Sequence, residues 1–228
     1  PHALAAFIAE PIQGEGGDNH MRPEFLQAML RLVHANDALF ILDEVQTGVG
    51  TTGTAWAYQQ LGIQPDVVAF SKKAQIGGIM AGGRVDEVAD NVFAVSGRIN
   101  STWGGGLVDM VRSQRALEII ESEGLIEQAG PKGERLIAGL EMLRDDSGLI
   151  SNVRGRGLFV AFDLESREER DAAVTDLRVE ERVIVLPCGE RSIRFRPALS
   201  VSQDEIDEAL GATRRSVVRV ASKELQYS

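Results

Sequence analysis

The chain has 228 residues, 43% apolar and 25% charged, which is enough to bury a sizeable core in one large domain or two small ones. Acidic side chains number 34 against 24 basic, a net charge of −10 with no basic block, and this argues against nucleic acid or an anionic membrane surface as partner. The longest apolar run, Ala3–Ala9, is far shorter than the ~20 residues that cross a bilayer, and the single cysteine, Cys188, excludes an internal disulfide and points to a reducing, cytoplasmic setting.

The chain enters an apolar run within two residues of Pro1, which leads to the expectation that it is the C-terminal part of a longer protein. Ala6–Ala9 predicts a strand ending at Glu10-Pro11. Pro23 to Asn36 carries helical spacing, with Phe25, Met29, Leu32 and Val33 on one face. Leu39–Leu42 predicts a second strand, Thr54–Leu61 a short helix stopped by Gly62, Val67–Phe70 a third strand and Gly78–Ala81 a further one. Strands alternating with helices predict a parallel sheet covered on both faces. Leu107–Glu121 and Leu125–Leu143 follow as two helices broken at Gly124, with Gly130-Pro131 expected to kink or delay the second. Val153–Gly157 predicts a turn, Leu158–Leu164 a strand, Arg167–Arg182 a helix, and Val183–Leu186 and Ile193–Phe195 two strands. Ser202–Val220 predicts a closing helix, with Ser202 and Glu205 as a capping box. From about residue 147 the pattern is that of a smaller α/β domain.

The first three strands each end in chemically useful groups. Glu10, Gln13 and Glu15 follow the first, Asp43, Glu44 and Gln46 the second, and Lys72 and Lys73 the third. In open parallel sheets, ligands bind beyond the carboxyl ends of the strands. The plain alternative is that these are solvated loop residues, which for any one of them is the commoner case. A lysine amine that attacks a carbonyl, together with a carboxylate that keeps a ring nitrogen protonated, is the combination pyridoxal phosphate chemistry needs. Lys72 and Asp43 supply those two groups at the ends of successive strands. His2, His20 and His34 are scattered without ligand spacing, so no metal site is expected.

Four motifs in order then carry a resemblance. Ala9-Glu-Pro-Ile-Gln-Gly-Glu-Gly-Gly17, Phe40-Ile-Leu-Asp-Glu-Val-Gln-Thr-Gly48, Asn100-Ser-Thr-Trp-Gly-Gly105 and Ile193-Arg-Phe-Arg-Pro197 resemble the signatures of the class III (fold type I) aminotransferases. The resemblance implies an α/β fold of the aspartate aminotransferase-like, PLP-dependent transferase type. Residues 1–105 would be the C-terminal part of the cofactor-binding large domain with its mostly parallel sheet, 106–146 connecting helices, and 147–228 the small C-terminal domain. Gly17–Phe25, Thr54–Gln60, Lys72-Lys73 and Gly82–Phe93 are similar to the branch that acts on lysine. Gly50-Thr-Thr-Gly53 and Trp103 stand where the ornithine and acetylornithine branches usually have Gly-Arg-Thr-Gly and a phenylalanine.

The resemblance also implies roles. The cofactor would be pyridoxal 5'-phosphate. Lys72 would bond to it and shuttle the proton, with Lys73 facing away. Asp43 would hold the ring nitrogen, Val45 would pack on the ring, Gln46 would hydrogen-bond beside the phenolic oxygen, and Ser101 and Thr102 would bind the phosphate. Thr102 reaches across a dimer interface in this family, which implies a homodimer. The implied reaction moves the terminal amine of L-lysine to 2-oxoglutarate, giving 2-aminoadipate 6-semialdehyde and L-glutamate. Ornithine, acetylornithine or 4-aminobutyrate are the alternative substrates, and a non-catalytic relative is the alternative of another class. Glu15 and Arg194 match a switch in which the glutamate swings off the arginine when the keto acid's carboxylate arrives, with Asn100 assisting near the substrate. Arg196 is expected in an ordinary surface salt bridge, Cys188 as a loop thiol, and Arg154 and Arg156 at the domain junction. Ser71 replaces a frequent glycine. The family's phosphate loop, its stacking aromatic and the arginine for lysine's α-carboxylate lie upstream of the matched region, so these 228 residues alone are expected to bind the cofactor poorly and turn over little.

Overall fold

The computed structural model describes residues 4–99 and 102–224. The chain divides into two compact units: Pro1–Pro11, His20–Val49 and Thr54–Glu123 in the first, and Ile12–Asn19, Gly50–Gly53 and Gly124–Ser228 in the second. Leu107–Ser122 belongs to the first unit and Leu125–Ser147 to the second. No helix of the described residues is long and apolar enough to cross a membrane.

In the first unit, β1 (Ala6–Ala9), β2 (Leu39–Asp43) and β3 (Val67–Phe70) run parallel in that order, and β4 (Gly78–Ala81) pairs antiparallel with β3. Helix α1 (Pro23–Ala35) crosses from β1 to β2, with proline at its start, where a missing N–H costs nothing. It buries Leu26 and Val33 against Phe40, Leu42, Leu61 and Ile63. Phe7 stacks on Phe40 at 5.4 Å between centroids. Phe25 and Leu32, expected on the buried face, are exposed. Apolar residues also stand at positions 26 and 30. Two faces of the helix therefore satisfy the spacing, and packing selects the one with Leu26.

The helix expected over Thr54–Leu61 is a single tight turn, Ala57–Gln60. Glu44, just past β2, is 1% exposed, and its carboxylate accepts the Ala57 and Tyr58 N–H groups at 2.8 Å each and the Thr47 hydroxyl at 2.9 Å. It thus satisfies the open donors of that turn. Burial pushes its carboxyl above the usual range. Helix α2 (Leu107–Ser122) completes the unit.

The second unit is built on an antiparallel sheet. Strands β5 (Ser151–Arg156), β6 (Phe159–Asp163), β7 (Leu186–Cys188) and β8 (Ser192–Phe195) lie in the order β5-β6-β8-β7. Helices α3 (Leu125–Ser147), α4 (Arg167–Val179) and α5 (Gln203–Glu224) accompany it. Leu136, Leu140, Phe162, Leu177, Ile193 and Val217 lie in its core. Three expectations change here. The segment read as a turn at Val153–Gly157 is mostly strand β5, since β6 supplies its hydrogen-bond partners and only Gly157 and Leu158 reverse the chain. The strand at Val183–Leu186 begins only at Leu186, because that is where pairing to β8 starts. Helix α4 stops at Val179, and Arg182 beyond it has φ +57°. Pro131 is accommodated inside α3, near its start, where one lost hydrogen bond is offset by the buried leucines further along. Ser202 and Glu205 exchange hydrogen bonds as a capping box, with the Glu205 N–H reaching the Ser202 hydroxyl at 3.1 Å and the Ser202 N–H reaching the Glu205 carboxylate at 2.7 Å.

Main chain meets main chain in this unit. A Cβ on Gly133 would lie 1.9 Å from the Gly157 carbonyl oxygen, and one on Gly157 would lie 2.5 Å from the Thr52 backbone.

Glu181 sits against Arg215 and Arg219 of α5, at 2.6 and 2.5 Å. Those two guanidiniums draw its carboxyl down from 4.5 to about 2. A depressed carboxylate contributes stability that is complete above its unfolded value and lost as pH falls through the folded one. The advantage of the wild type over Glu181→Gln in chemical denaturation is therefore expected to be complete above pH 4.5 and to vanish toward pH 2. A difference that does not change with pH would exclude the ion pairs as its source.

Candidate active site

In the first unit, Asp43 ends β2 opposite Ala69 of the neighbouring parallel strand β3. Adjacent strands lie about 4.8 Å apart. Lys72 follows Ala69 by three residues, at most about 10 Å of chain. The carboxylate and the amine thus belong to adjoining strand ends at one edge of the sheet. Asp43 Oδ1 accepts the Val45 N–H at 3.0 Å, which fixes the carboxylate on the turn and leaves Oδ2 open among the described residues. Val45 and Gln46 are half-buried beside it.

Lys72 has a φ of +48°, a conformation that costs a non-glycine residue of order 1 kcal/mol. It is held in a tight turn by the Ala74 N–H to the Ser71 carbonyl and the Gln75 N–H to the Lys72 carbonyl, at 3.1 and 2.8 Å. Its amine is exposed and has no partner among the described residues. A cavity of about 500 Å³ opens beside it, lined by Ser71, Gly77, Trp103 and Arg112 among others, within the range of small-molecule sites. A free amine on a constrained turn, an open carboxylate on the adjoining strand end and a cavity next to the amine fit a pyridine-aldehyde cofactor. Thr102 is exposed, and Asn100 and Ser101 lie outside the described residues.

The second unit holds a cluster of charge. Strand β8 carries Arg194, only 6% exposed, and its Nη2 donates to Glu15 Oε2. The Arg194 Nε and Nη1 groups are buried without a hydrogen-bond partner among the described residues. Buried unmet donors are costly, and a guanidinium pairs readily with a carboxylate. The Glu15 side chain is 82% exposed, so most of it already faces water.

Sequence reasoning missed the neighbours of this pair. Arg196, expected at the surface, is 11% exposed in its side chain, donates to Asp18 Oδ1, and lies 3.2 Å above the Phe159 ring. Asp18 is completely buried, and burial outweighs the pull of the arginines around it and pushes its carboxyl upward. Arg154 clamps the same loop, donating from Nε to the Asp18 carbonyl at 3.0 Å and from Nη2 to the Gly17 carbonyl at 2.5 Å. Its Nη1 holds Asp163 at 2.8 Å. Cys188, expected as a loop thiol, is buried in β7, and desolvation together with the Asp18 charge pushes it to about 11, so it is inert as a nucleophile. The available signal was the Arg194-Phe-Arg196 spacing, since residues two apart on an extended segment share a face.

Over residues 1–217 the chain matches the aminotransferase class-III family, and it belongs to that family. It is 58% identical over 219 residues to the L-lysine-epsilon aminotransferase of Streptomyces clavuligerus, covering 96% of this chain and 48% of that one. To the L-lysine-epsilon aminotransferase of Amycolatopsis lactamdurans it is 56% identical over 215 residues, covering 94% and 48%. The solved lysine aminotransferase from M. tuberculosis superposes with a TM-score of 0.94 at 57% identity, over 96% of this chain and 51% of that one. The chain thus spans about half the length of the relatives it matches.

Proposed function

We propose that the protein carrying this chain transfers the terminal amino group of L-lysine to 2-oxoglutarate, giving 2-aminoadipate 6-semialdehyde and L-glutamate. The observation that carries the proposal is Arg194, buried, held by an exposed glutamate and, among the described residues, still short of partners for two of its donors. An ω-aminotransferase needs that arrangement. The reacting carbon of lysine carries a hydrogen where that of the keto acid carries a carboxylate. A fixed buried arginine would stand unpaired in the first half-reaction, at a cost of several kcal/mol. Glu15 pairs with it then, and withdraws to water when the 2-oxoglutarate carboxylate takes its place. The exchange swaps one charge-assisted hydrogen bond for another, so little free energy is lost in either half.

When bound, pyridoxal 5'-phosphate supplies a carbonyl that accepts amines and a ring that draws off electron density. Asp43 would keep a proton on the ring nitrogen through its open carboxylate oxygen, Val45 would pack on the ring, Gln46 would hydrogen-bond beside the phenolic oxygen, and Ser101 and Thr102 would hold the phosphate. Lys72 would offer its amine to the carbonyl and would hold and return a proton at Nζ. Asn100 would assist substrate placement. The first 105 residues then serve as part of the cofactor-binding domain and the segment from 147 as the small domain. The working form is a cytoplasmic homodimer.

The test is product analysis with the full-length protein supplied with 2-oxoglutarate and, in parallel, lysine, ornithine or 4-aminobutyrate. The expected result is glutamate together with the semialdehyde from lysine, at a kcat/KM at least about tenfold above the other donors. A preference for another donor would overturn the lysine assignment.

A further inference from the structure

Two acids three residues apart, Glu15 and Asp18, meet two arginines two residues apart, Arg194 and Arg196. The two pairs differ in lability. Glu15 is 82% exposed in its side chain and Asp18 is 0% exposed. The loop that carries both acids is fixed in its backbone. The Gly189 N–H donates to the Glu15 carbonyl at 2.9 Å, and Arg154 holds the carbonyls of Gly17 and Asp18. Movement at Glu15 is therefore a rotation of its side chain on an anchored loop. Arg194 lies in β8 and Arg196 one residue past its end, so the two residues are about 7 Å apart along the chain. Asp18 supplies the charge that pairs with Arg196, whose Nη1 also donates to the Phe195 carbonyl at 2.7 Å; removal of that charge makes Arg196 a competitor for a glutamate released from Arg194.

We infer that Asp18 is a positioning residue for the arginine switch: by holding Arg196 permanently, it leaves Glu15 a single partner, Arg194, to cover and to release. This rests on the reading of Arg194 as the receiver of the keto acid's carboxylate. Without the Asp18 charge, Glu15 is drawn to Arg196, and Arg194 stands uncovered when the amine donor arrives. The dicarboxylate, which covers Arg194 itself, is not penalised.

In a two-half reaction, kcat/KM for each substrate reports its own half. In the full-length protein, Asp18→Asn is expected to lower kcat/KM for lysine about tenfold while that for 2-oxoglutarate, and the calorimetric affinity for glutarate, stay within about threefold of wild type. Adding Arg196→Met removes the competing guanidinium and is expected to return the lysine value to within about threefold of wild type. Equal losses in both halves, or a double variant no better than Asp18→Asn, would overturn the inference and leave Asp18 a purely structural group. Should Asp18→Asn fail to fold, Asp18→Leu with Arg196→Met decides the matter, since apolar replacement of a buried ion pair is commonly tolerated. Its two kcat/KM values must then keep the wild-type ratio within about threefold, and a selective loss for lysine sinks the idea. A wild-type protein that neither uses lysine nor binds glutarate overturns the functional reading instead.

Discussion

Replacing Lys72 by alanine in the full-length protein is expected to abolish amino transfer, by at least about 10⁴-fold, and to remove the visible absorbance of the lysine–cofactor bond. The fold should survive. Lys72 is exposed and its amine has no partner among the described residues. Alanine meets the same backbone cost as lysine at φ +48°. Circular dichroism and the melting temperature should therefore match wild type while activity is gone. Lys73 is the control. If Lys73→Ala, rather than Lys72→Ala, removes both the absorbance and the activity, the reactive amine has been assigned to the wrong neighbour.

Arg194→Met is expected to divide the reaction. On the proposed role of the arginine's buried donors in receiving the keto acid, kcat/KM for 2-oxoglutarate should fall roughly 10²–10³-fold, within the 2–5 kcal/mol typical of a truncated buried charge pair. The lysine half should change by less than about threefold, since Glu15 loses only a partner it would otherwise have to cover and is already exposed to water. Stopped-flow measurement of each half separately checks this. Equal losses in both halves would show that Arg194 supports the fold rather than discriminating between substrates. Methionine keeps most of the side-chain volume, which limits the damage to β8 and its neighbours.

Several parts of the architecture could be read directly from the residues. The apolar runs at Ala6–Ala9, Leu39–Asp43 and Val67–Phe70 are strands because each is short, apolar and followed by polar or turn-forming residues. Ser202 and Glu205 announce their helix through chemistry confined to three residues. What could not be read depends on partners distant in the chain. Val153–Gly157 has the composition of a turn, yet β6 recruits it as strand β5. Thr54–Leu61 has helical spacing, yet the Glu44 carboxylate gathers its N–H groups into a single turn. Arg196 resembles any surface arginine until Asp18, 178 positions earlier, is found beneath it. Burial of a charge is a property of the pair, and local sequence describes only one member. Residues that touch the reacting groups could be proposed from motif chemistry alone. Asp18, which pairs with Arg196, could not.

The close approach of Gly133, Gly157 and Thr52 restricts how this protein can change. Most interior positions accept a larger or smaller side chain at a modest penalty, because neighbouring atoms shift. At this crossing the obstructing atoms are peptide carbonyls and amides, which cannot rotate aside. Alanine there requires the backbone itself to shift. An engineer grafting a foreign segment at Gly50–Gly53 would have to reproduce the path of the main chain to within a methyl group's width before choosing a single side chain.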